Sequence, residues 1–198
     1  MYLQLNAIVA DLRAAERRLR SLRAAIPPEA WNRRPGPGRW SPAECVAHLN
    51  LTSEAFLPLL RAGLDEARRR GHSSGRYRRD FFGWLIWRVV TPTGTFRTKT
   101  LAAFVPDGDR PADALVAAFE GLQAEVIACV RAAEGLPIDR VRVVSPFDAR
   151  AKYNLYAAMT IIPRHQHRHL LQAEQAAGPE PAAQTERPGA TASENRRV

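Results

Sequence analysis

Three histidines carry the most reactive chemistry that this sequence can assemble. His165 and His169 stand four residues apart in a segment with a helical pattern. Residues at i and i+4 share a helix face, about 40° apart around the axis, so two imidazoles can reach one metal ion. His48 lies far upstream, on the inner stripe of another predicted helix. The spacing therefore predicts a divalent metal site built from two helices, with open coordination positions as in catalytic sites.

Ordinary core histidines are the alternative interpretation. Pairs at i and i+4 arise by chance in a chain with five histidines, and a buried imidazole is often only hydrogen-bonded. An unpaired polar group on an apolar stripe costs about 1–3 kcal/mol, so these side chains need partners under either interpretation. His167, on the outer face of its helix, and His72, in a loop, are left out of the predicted site.

Two other side chains are candidates for places next to the histidines. Gln172 follows His165 by seven residues and shares its face, although a polar residue closing the bundle end is equally consistent. Glu44 precedes His48 by four residues, although it is also placed to cap its helix. Cys45 is interpreted as a small core side chain. No residue is identified as a general base, and the catalytic groups stay unassigned.

Four helices are needed to position these residues. Apolar side chains recur every three or four positions over residues 2–26, 41–70, 111–134 and 152–177. The second helix has the clearest start, because Ser41 and Glu44 form a capping box around Pro42. Between helices two and three, residues 71–109 hold many aromatic side chains without a sustained period. We predict an ordered excursion there, with a short helix near residues 80–90.

The fold class that follows is all-α, a four-helix bundle with an aromatic-rich excursion between helices two and three. Residues 1–178 suffice for one domain with a sizeable core. Residues 179–198 are rich in Ala, Pro, Thr and Glu, which predicts a disordered C-terminal tail. Residues 141–144 predict a brief extended segment before the fourth helix. Trp84 and Trp87 of the excursion are candidates for the wall of a substrate pocket.

Charge and cysteine content narrow the choice of partners. The net charge is +9, but it comes from arginines scattered along the chain. The densest run, Arg68 to Arg70, has no accompanying aromatic pattern, so a solvated surface is favoured and no nucleic-acid partner is predicted. Cys45 and Cys129 occupy core positions and suggest a reducing, cytoplasmic location. The N-terminus lacks a secretory pattern, and the apolar stretch near Trp84 is too short to span a bilayer, so no membrane partner is predicted.

Two motifs resemble those of a known family. The segment Arg34–Leu49 contains Pro-Gly, Trp-Ser, Glu and His-Leu elements, and it resembles the opening of the second helix in DinB-like proteins. The segment His165–Gln172 is similar to their closing His-x3-His-Leu-x-Gln motif. The resemblance implies an up-down-down-up four-helix bundle with a long crossover, as in the bacillithiol S-transferases and the mycothiol-dependent maleylpyruvate isomerases. Many of these relatives carry a histidine where this chain has Arg168.

The resemblance also implies a divalent ion, zinc, nickel or iron depending on the member, held by His48, His165 and His169. The leading hypothesis is a metal-dependent enzyme, either a thiol S-transferase or a hydrolase. Its partners would be a low-molecular-weight thiol and a small electrophilic substrate, and the resemblance suggests a homodimer. The alternative is a non-catalytic metal- or ligand-binding bundle. A nucleic-acid binder, suggested by charge alone, ranks last.

Overall fold

The structure is a computed structural model that describes residues 2–73, 76–91, 101–106 and 110–178. Its helices, in chain order, are α1 (Leu3–Ala25), α2 (Pro42–Arg69), α3 (Phe81–Val89), α4 (Ala112–Ala132) and α5 (Leu155–Ala177). A two-stranded antiparallel hairpin joins β1 (Arg142–Val144) to β2 (Lys152–Asn154), and two 3-10 turns cover Pro28–Ala30 and Ala102–Phe104. No helix in these ranges is both long and apolar enough to cross a membrane.

The four long helices form the predicted bundle. Both α1 and α2 pack mainly against α4 and α5. One part of the core joins the first halves of α1 and α5 to the last halves of α2 and α4, through Leu5, Met159, Leu60 and Val130. At the opposite end, a second cluster joins Leu19, Leu170, Leu49 and Phe119. The chain therefore runs up, down, down and up through the bundle, which confirms the arrangement that the resemblance implied.

Local chemistry explains where the second and fifth helices begin. The Ser41 hydroxyl accepts from the Glu44 backbone amide, and the Glu44 carboxylate accepts from the Ser41 amide, so the predicted capping box is present. The prediction that the last helix starts near residue 152 was wrong. Residues 152–154 pair with β1 instead, and the Asn154 side chain caps α5 by accepting from the Ala157 amide.

The excursion contains the predicted short helix, α3. Asp80 caps it by accepting from the Gly83 amide, and Gly83 brings α3 close to α5. A Cβ atom at Gly83 would lie 2.3 Å from the Cβ of Ala157, so only glycine permits this approach. The rest of the excursion prediction, over 74–75, 92–100 and 107–109, lies outside the described residues. The predicted tail, 179–198, lies outside them as well.

Candidate metal centre

The three histidines meet where the first half of α2 faces the second half of α5. His48 lies two turns into α2, between the fully buried Cys45 and Leu49, and its own side chain is 4% exposed. His165 and His169 lie on consecutive turns of α5 and are partly buried. Because the capping box sets the start of α2 and the bundle core sets the packing of α5, both helices hold their rings against a well-packed framework.

The rings are close enough to share one ion. One ligand nitrogen from each histidine lies within 4.8 Å of those of the other two. The Nε2 atoms of His48 and His165 are 3.4 Å apart, and the His169 ring centroid lies 4.5 Å from each of the other two centroids. Two nitrogens bound at about 2.0–2.1 Å to a tetrahedral ion are separated by about 3.3 Å. The His48–His165 separation already matches that distance.

Neighbouring oxygens set the hydrogen positions on two of the rings. The Nδ1 atom of His48 lies 2.8 Å from the carbonyl oxygen of Phe104, which can only accept, so the hydrogen is on Nδ1. The Nδ1 atom of His169 lies 3.0 Å from Gln172 Oε1 and donates in the same way. In the neutral tautomers that result, Nε2 of each ring keeps a lone pair. This arrangement of an outer oxygen on Nδ1 is the usual support of a metal-binding histidine.

Electrostatics keep the rings neutral. Burial lowers the pKa of His48, and the hydrogen bond to Phe104 offsets only part of that effect. Burial lowers the pKa of His165 well below its ordinary value, and the neighbouring His169, His48 and Arg168 lower it further. Burial, followed by His48 and Arg168, lowers the pKa of His169 to about 3, against a smaller opposing effect of Gln172. Neutral imidazoles at neutral pH are what a divalent ion requires, so the donor set fits such an ion.

Aromatic rings enclose the cluster. Trp40 lies against His48 and His169, with centroid separations of 4.9 and 6.0 Å. Phe147, in the hairpin loop, lies 5.9 Å from His165, and its ring also packs on Phe104 at 4.8 Å. Sequence reasoning assigned none of these three a place beside the histidines. Of the three, only Trp40 belongs to a motif recognised in the sequence, the Trp-Ser element before the second helix.

Of the two residues predicted to lie beside the cluster, Gln172 contacts a histidine and Glu44 does not. Gln172 bonds to His169, as described above. The Glu44 carboxylate is instead engaged by Arg34 and by the Ser41 amide, and it makes no hydrogen bond to the three histidines. Its place is explained by the capping role that the sequence also suggested. Cys45 belongs to the apolar core of that end of the bundle, and burial raises the pKa of its thiol.

The remaining candidates lie elsewhere. His167 faces Asp11 and Arg18 of α1, and His72 is exposed. Trp84 is 44% exposed on the outer side of α3, and Trp87 packs against Arg79 and Arg164. Neither tryptophan contacts the histidine rings, so the described aromatic wall is the one formed by Trp40, Phe104 and Phe147. Trp87 does line a separate cavity of about 210 Å³ on a different side of α5, together with Tyr156, Thr160 and Pro163 of that helix.

A buried amide pair next to the cluster was not predicted. Gln166, one residue after His165, and Gln123 of α4 are each 1% exposed. Their side chains exchange hydrogen bonds of 2.8 and 3.0 Å, and Gln123 also donates to the Leu12 carbonyl at 2.6 Å. The pair joins α5 to α4, and Gln123 also joins α4 to α1. It therefore restricts rotation of α5, and with it the direction of His165.

Fold and site together define a class of protein: an up-down-down-up helical bundle with a buried cluster of three histidines that can hold a metal ion. The family model described as the DinB superfamily matches residues 11–173. The chain belongs to the DinB superfamily. No curated protein and no solved structure matches the chain closely enough to be named beside it.

Proposed function

We propose that this protein is a metal-dependent enzyme whose divalent ion is held by His48, His165 and His169. The observation that best supports the proposal is the pair of outer oxygens, from Phe104 and Gln172, on the Nδ1 atoms of His48 and His169. Core histidines that served only packing would not need the same nitrogen turned outward on both rings. The partly exposed edges of His165 and His169 give a small substrate access to the cluster.

The reaction class is transfer of a low-molecular-weight thiol to a small electrophile, or hydrolysis. A divalent ion on three neutral imidazoles keeps open coordination positions, and it lowers the pKa of a thiol or water that enters them. The rings of Trp40, Phe104 and Phe147 limit the access of bulk water and offer an apolar wall to the substrate. Zinc, nickel and iron all suit this donor set.

Arg168 adds a positive charge to one side of the site. Its guanidinium donates to the Thr91 carbonyl at 2.9 Å, which anchors the end of α3 to α5. The same charge contributes to the lowered pKa values of His165 and His169, so it is felt at the cluster. A positive field at this position favours an anionic nucleophile such as a thiolate.

The ligand assignment is tested by metal titration of chelator-treated protein with Zn²⁺, Ni²⁺ and Fe²⁺. We expect one ion per chain, and each of His48→Ala, His165→Ala and His169→Ala should weaken binding by more than the roughly 10–100-fold typical of an outer partner. His167→Ala and His72→Ala are matched controls, because these histidines face away from the cluster, and they should bind as the wild type does. Undiminished affinity in the first three variants would refute the ligand set.

Catalysis is tested separately on the metal-loaded protein. Low-molecular-weight thiols are paired with small electrophiles, and esters are offered alone, with His165→Ala as the inactive reference. We expect turnover with the wild type that disappears in the variant. Stoichiometric metal without any turnover would instead support the alternative, a non-catalytic metal- or ligand-binding bundle. One observation favours that alternative: within the described part of the chain, no carboxylate contacts the three rings to act as a general base.

A further inference from the structure

The outer face of α3 is apolar and open to solvent. Five of its nine residues are large apolar side chains with exposed fractions above 40%: Phe81 71%, Phe82 54%, Trp84 44%, Leu85 42% and Val89 45%. A helix that is apolar on all sides is normally buried on all sides. Here only the side carrying Gly83 is buried against the protein. We call the five exposed side chains the α3 face.

The outward direction of the α3 face is set by the contacts beneath it. Gly83 lies so close to Ala157 of α5 that α3 cannot rotate another residue into that position. Asp80 caps the N-terminus, and Arg168 binds the Thr91 carbonyl just beyond the C-terminus. Trp87 is held by two guanidiniums, with Arg79 and Arg164 at 4.2 and 4.0 Å from its ring centroid. The exposure of the apolar side chains therefore follows from fixed packing.

Arginines predominate among the charged side chains around the α3 face. Arg88 lies on the face itself, 5.6 Å from the Trp84 ring centroid, and Arg79 and Arg164 both stack on Trp87 beneath it. None of these three arginines pairs with an acidic side chain in the described residues, and Arg164 Nε is buried without a hydrogen-bond partner. The one acid in residues 71–106, Asp80, is used as the helix cap and lies 3.7 Å from Arg142.

Several arginines elsewhere on the bundle differ from these three. In α1, in α2 and just after α2, they pair with carboxylates, as in Arg18–Glu174, Arg23–Asp113, Arg68–Asp65 and Arg70–Glu66. The three arginines of the basic run Arg68–Arg70 are thus partly neutralised by two acids of α2, Asp65 and Glu66, and all of them lie on a solvated surface. Beside the apolar α3 face, Arg79, Arg88 and Arg164 have no such acidic partner among the described residues, and an anionic partner would complement their charge.

We propose that the α3 face is an interfacial anchor that binds an anionic lipid surface. Exposed Phe, Trp and Leu flanked by arginine are the side chains by which amphipathic helices lie in the headgroup region of a bilayer, and anionic lipids add electrostatic attraction. A second copy of this chain fits less well, because a two-fold contact would press the α3 face against itself and bring Arg88 against its own copy. The proposal concerns the side of α5 that carries Ala157 and Arg164 rather than the histidines, and it does not depend on the proposed enzymatic function.

The test is sedimentation of the full-length protein with vesicles. We expect binding to vesicles of equal parts phosphatidylglycerol and phosphatidylcholine, at least about tenfold weaker binding to phosphatidylcholine alone, and loss of binding as salt is raised. The double variant Phe81→Ser/Trp84→Ser should lose binding, and Arg88→Glu should weaken it by about tenfold or more. Leu3→Ser and Arg68→Glu are matched controls, since they change an exposed apolar residue and an exposed arginine away from α3.

Metal affinity and helical circular dichroism should be unchanged in every variant, which separates loss of binding from loss of fold. Equal binding to both kinds of vesicle, or none to either, would overturn the proposal. So would wild-type binding by the Phe81→Ser/Trp84→Ser variant, because attraction would then depend on charge alone. A dimer in light scattering that dissociates in the same variant would show that a second copy covers the α3 face, and this would also overturn it.

Discussion

The two sides of α5 differ in how their polar groups are satisfied. On one side, His169 donates to Gln172, and His48 from α2 meets this side while donating to Phe104. On the other side, Arg164 stacks on Trp87 with its Nε buried and unpaired, and no described carboxylate balances its charge. The first arrangement leaves neutral lone pairs suited to a cation. The second leaves positive charge suited to an anion, so one helix offers opposite chemistry on its two sides.

The difference also concerns rigidity. On the histidine side the polar groups belong to hydrogen-bond networks inside the core, where each partner restricts the others. The α3 side is held by a close glycine contact, by cation–π stacking and by the hydrogen bond from Arg168 to Thr91, and its outer half faces solvent. The site for a small ion is thus preorganised. The α3 face, in contrast, is an exposed apolar patch of the kind that marks a binding surface.

Apart from loss of a ligand histidine itself, the largest effect should come from removing an outer oxygen on the histidine side. Gln172→Leu deprives His169 Nδ1 of its acceptor, so the metal-binding tautomer is no longer favoured, and divalent metal affinity should fall by about 10–100-fold. Glu44→Gln is the matched control, because Glu44 was also a candidate by spacing but bonds to Arg34 and Ser41 instead. Titration of both variants measures the difference. Equal losses would mean that the structure misassigns the outer partner.

The glycine contact under α3 gives the next prediction. Gly83→Ala places a methyl group where only 2.3 Å separates it from the Ala157 Cβ, so α3 must shift, at a cost of about 1–3 kcal/mol in the free energy of unfolding. Gly121→Ala, at an exposed position of α4 with nothing within 4 Å, should stabilise by about 0.5–1 kcal/mol. Urea unfolding compares the two. If both substitutions stabilise, α3 does not approach α5 as closely as described.

The buried amide pair tests how α5 is oriented between its two sides. Gln166→Leu leaves Gln123 buried with one partner fewer and should cost about 1–3 kcal/mol in the free energy of unfolding. Replacing both glutamines with leucine should restore part of that loss, because no side-chain amide is then left unpaired, although the Leu12 carbonyl still loses a donor. A double-mutant cycle measures the coupling. Additive losses would show that the pair does not act as a unit.

Sequence periodicity predicted the helices well, and the reason is local. Apolar stripes and the Ser41–Glu44 capping box depend on residues within a few turns, so α1, α2 and α4 appear close to their predicted bounds. The i,i+4 spacing predicted that His165 and His169 would share a face for the same reason. Strand β2 was missed because three residues are too few to show an alternating pattern, and they directly precede a strong helical one.

The supports of the site could not be predicted, because they depend on tertiary contacts. The Phe104 oxygen that orients His48 belongs to the backbone, which carries no residue-type signal. Phe147 packs against His165 from a loop, and Gln123 bonds to Gln166, which is 43 residues away in the sequence. Glu44 shows that spacing can also mislead. It lies four residues before His48, but its carboxylate bonds to the Ser41 amide at the start of the helix instead. Spacing identifies which side chains share a face, whereas partners depend on neighbouring elements.

The smallest predicted effect concerns the start of the helix that carries His48, and it depends on pH. Burial raises the pKa of Glu44, but hydrogen bonds from Arg34 and Ser41 outweigh this, so the net folded pKa is lowered below its ordinary 4.5. The unfolded chain therefore binds the proton more readily. The stabilising effect of the carboxylate is fully present above pH 4.5 and is lost as the pH falls through the folded pKa.

Glu44→Gln keeps an oxygen for the Ser41 amide but removes the charge facing Arg34, so it isolates this contribution. Because Arg34 is largely exposed, the wild type should exceed the variant by no more than about 1 kcal/mol in the free energy of unfolding at neutral pH. The difference should shrink steadily in urea unfolding series below pH 4.5. A difference that stays constant with pH would mean that the capping hydrogen bonds, rather than the ionised carboxylate, stabilise the first turn of α2.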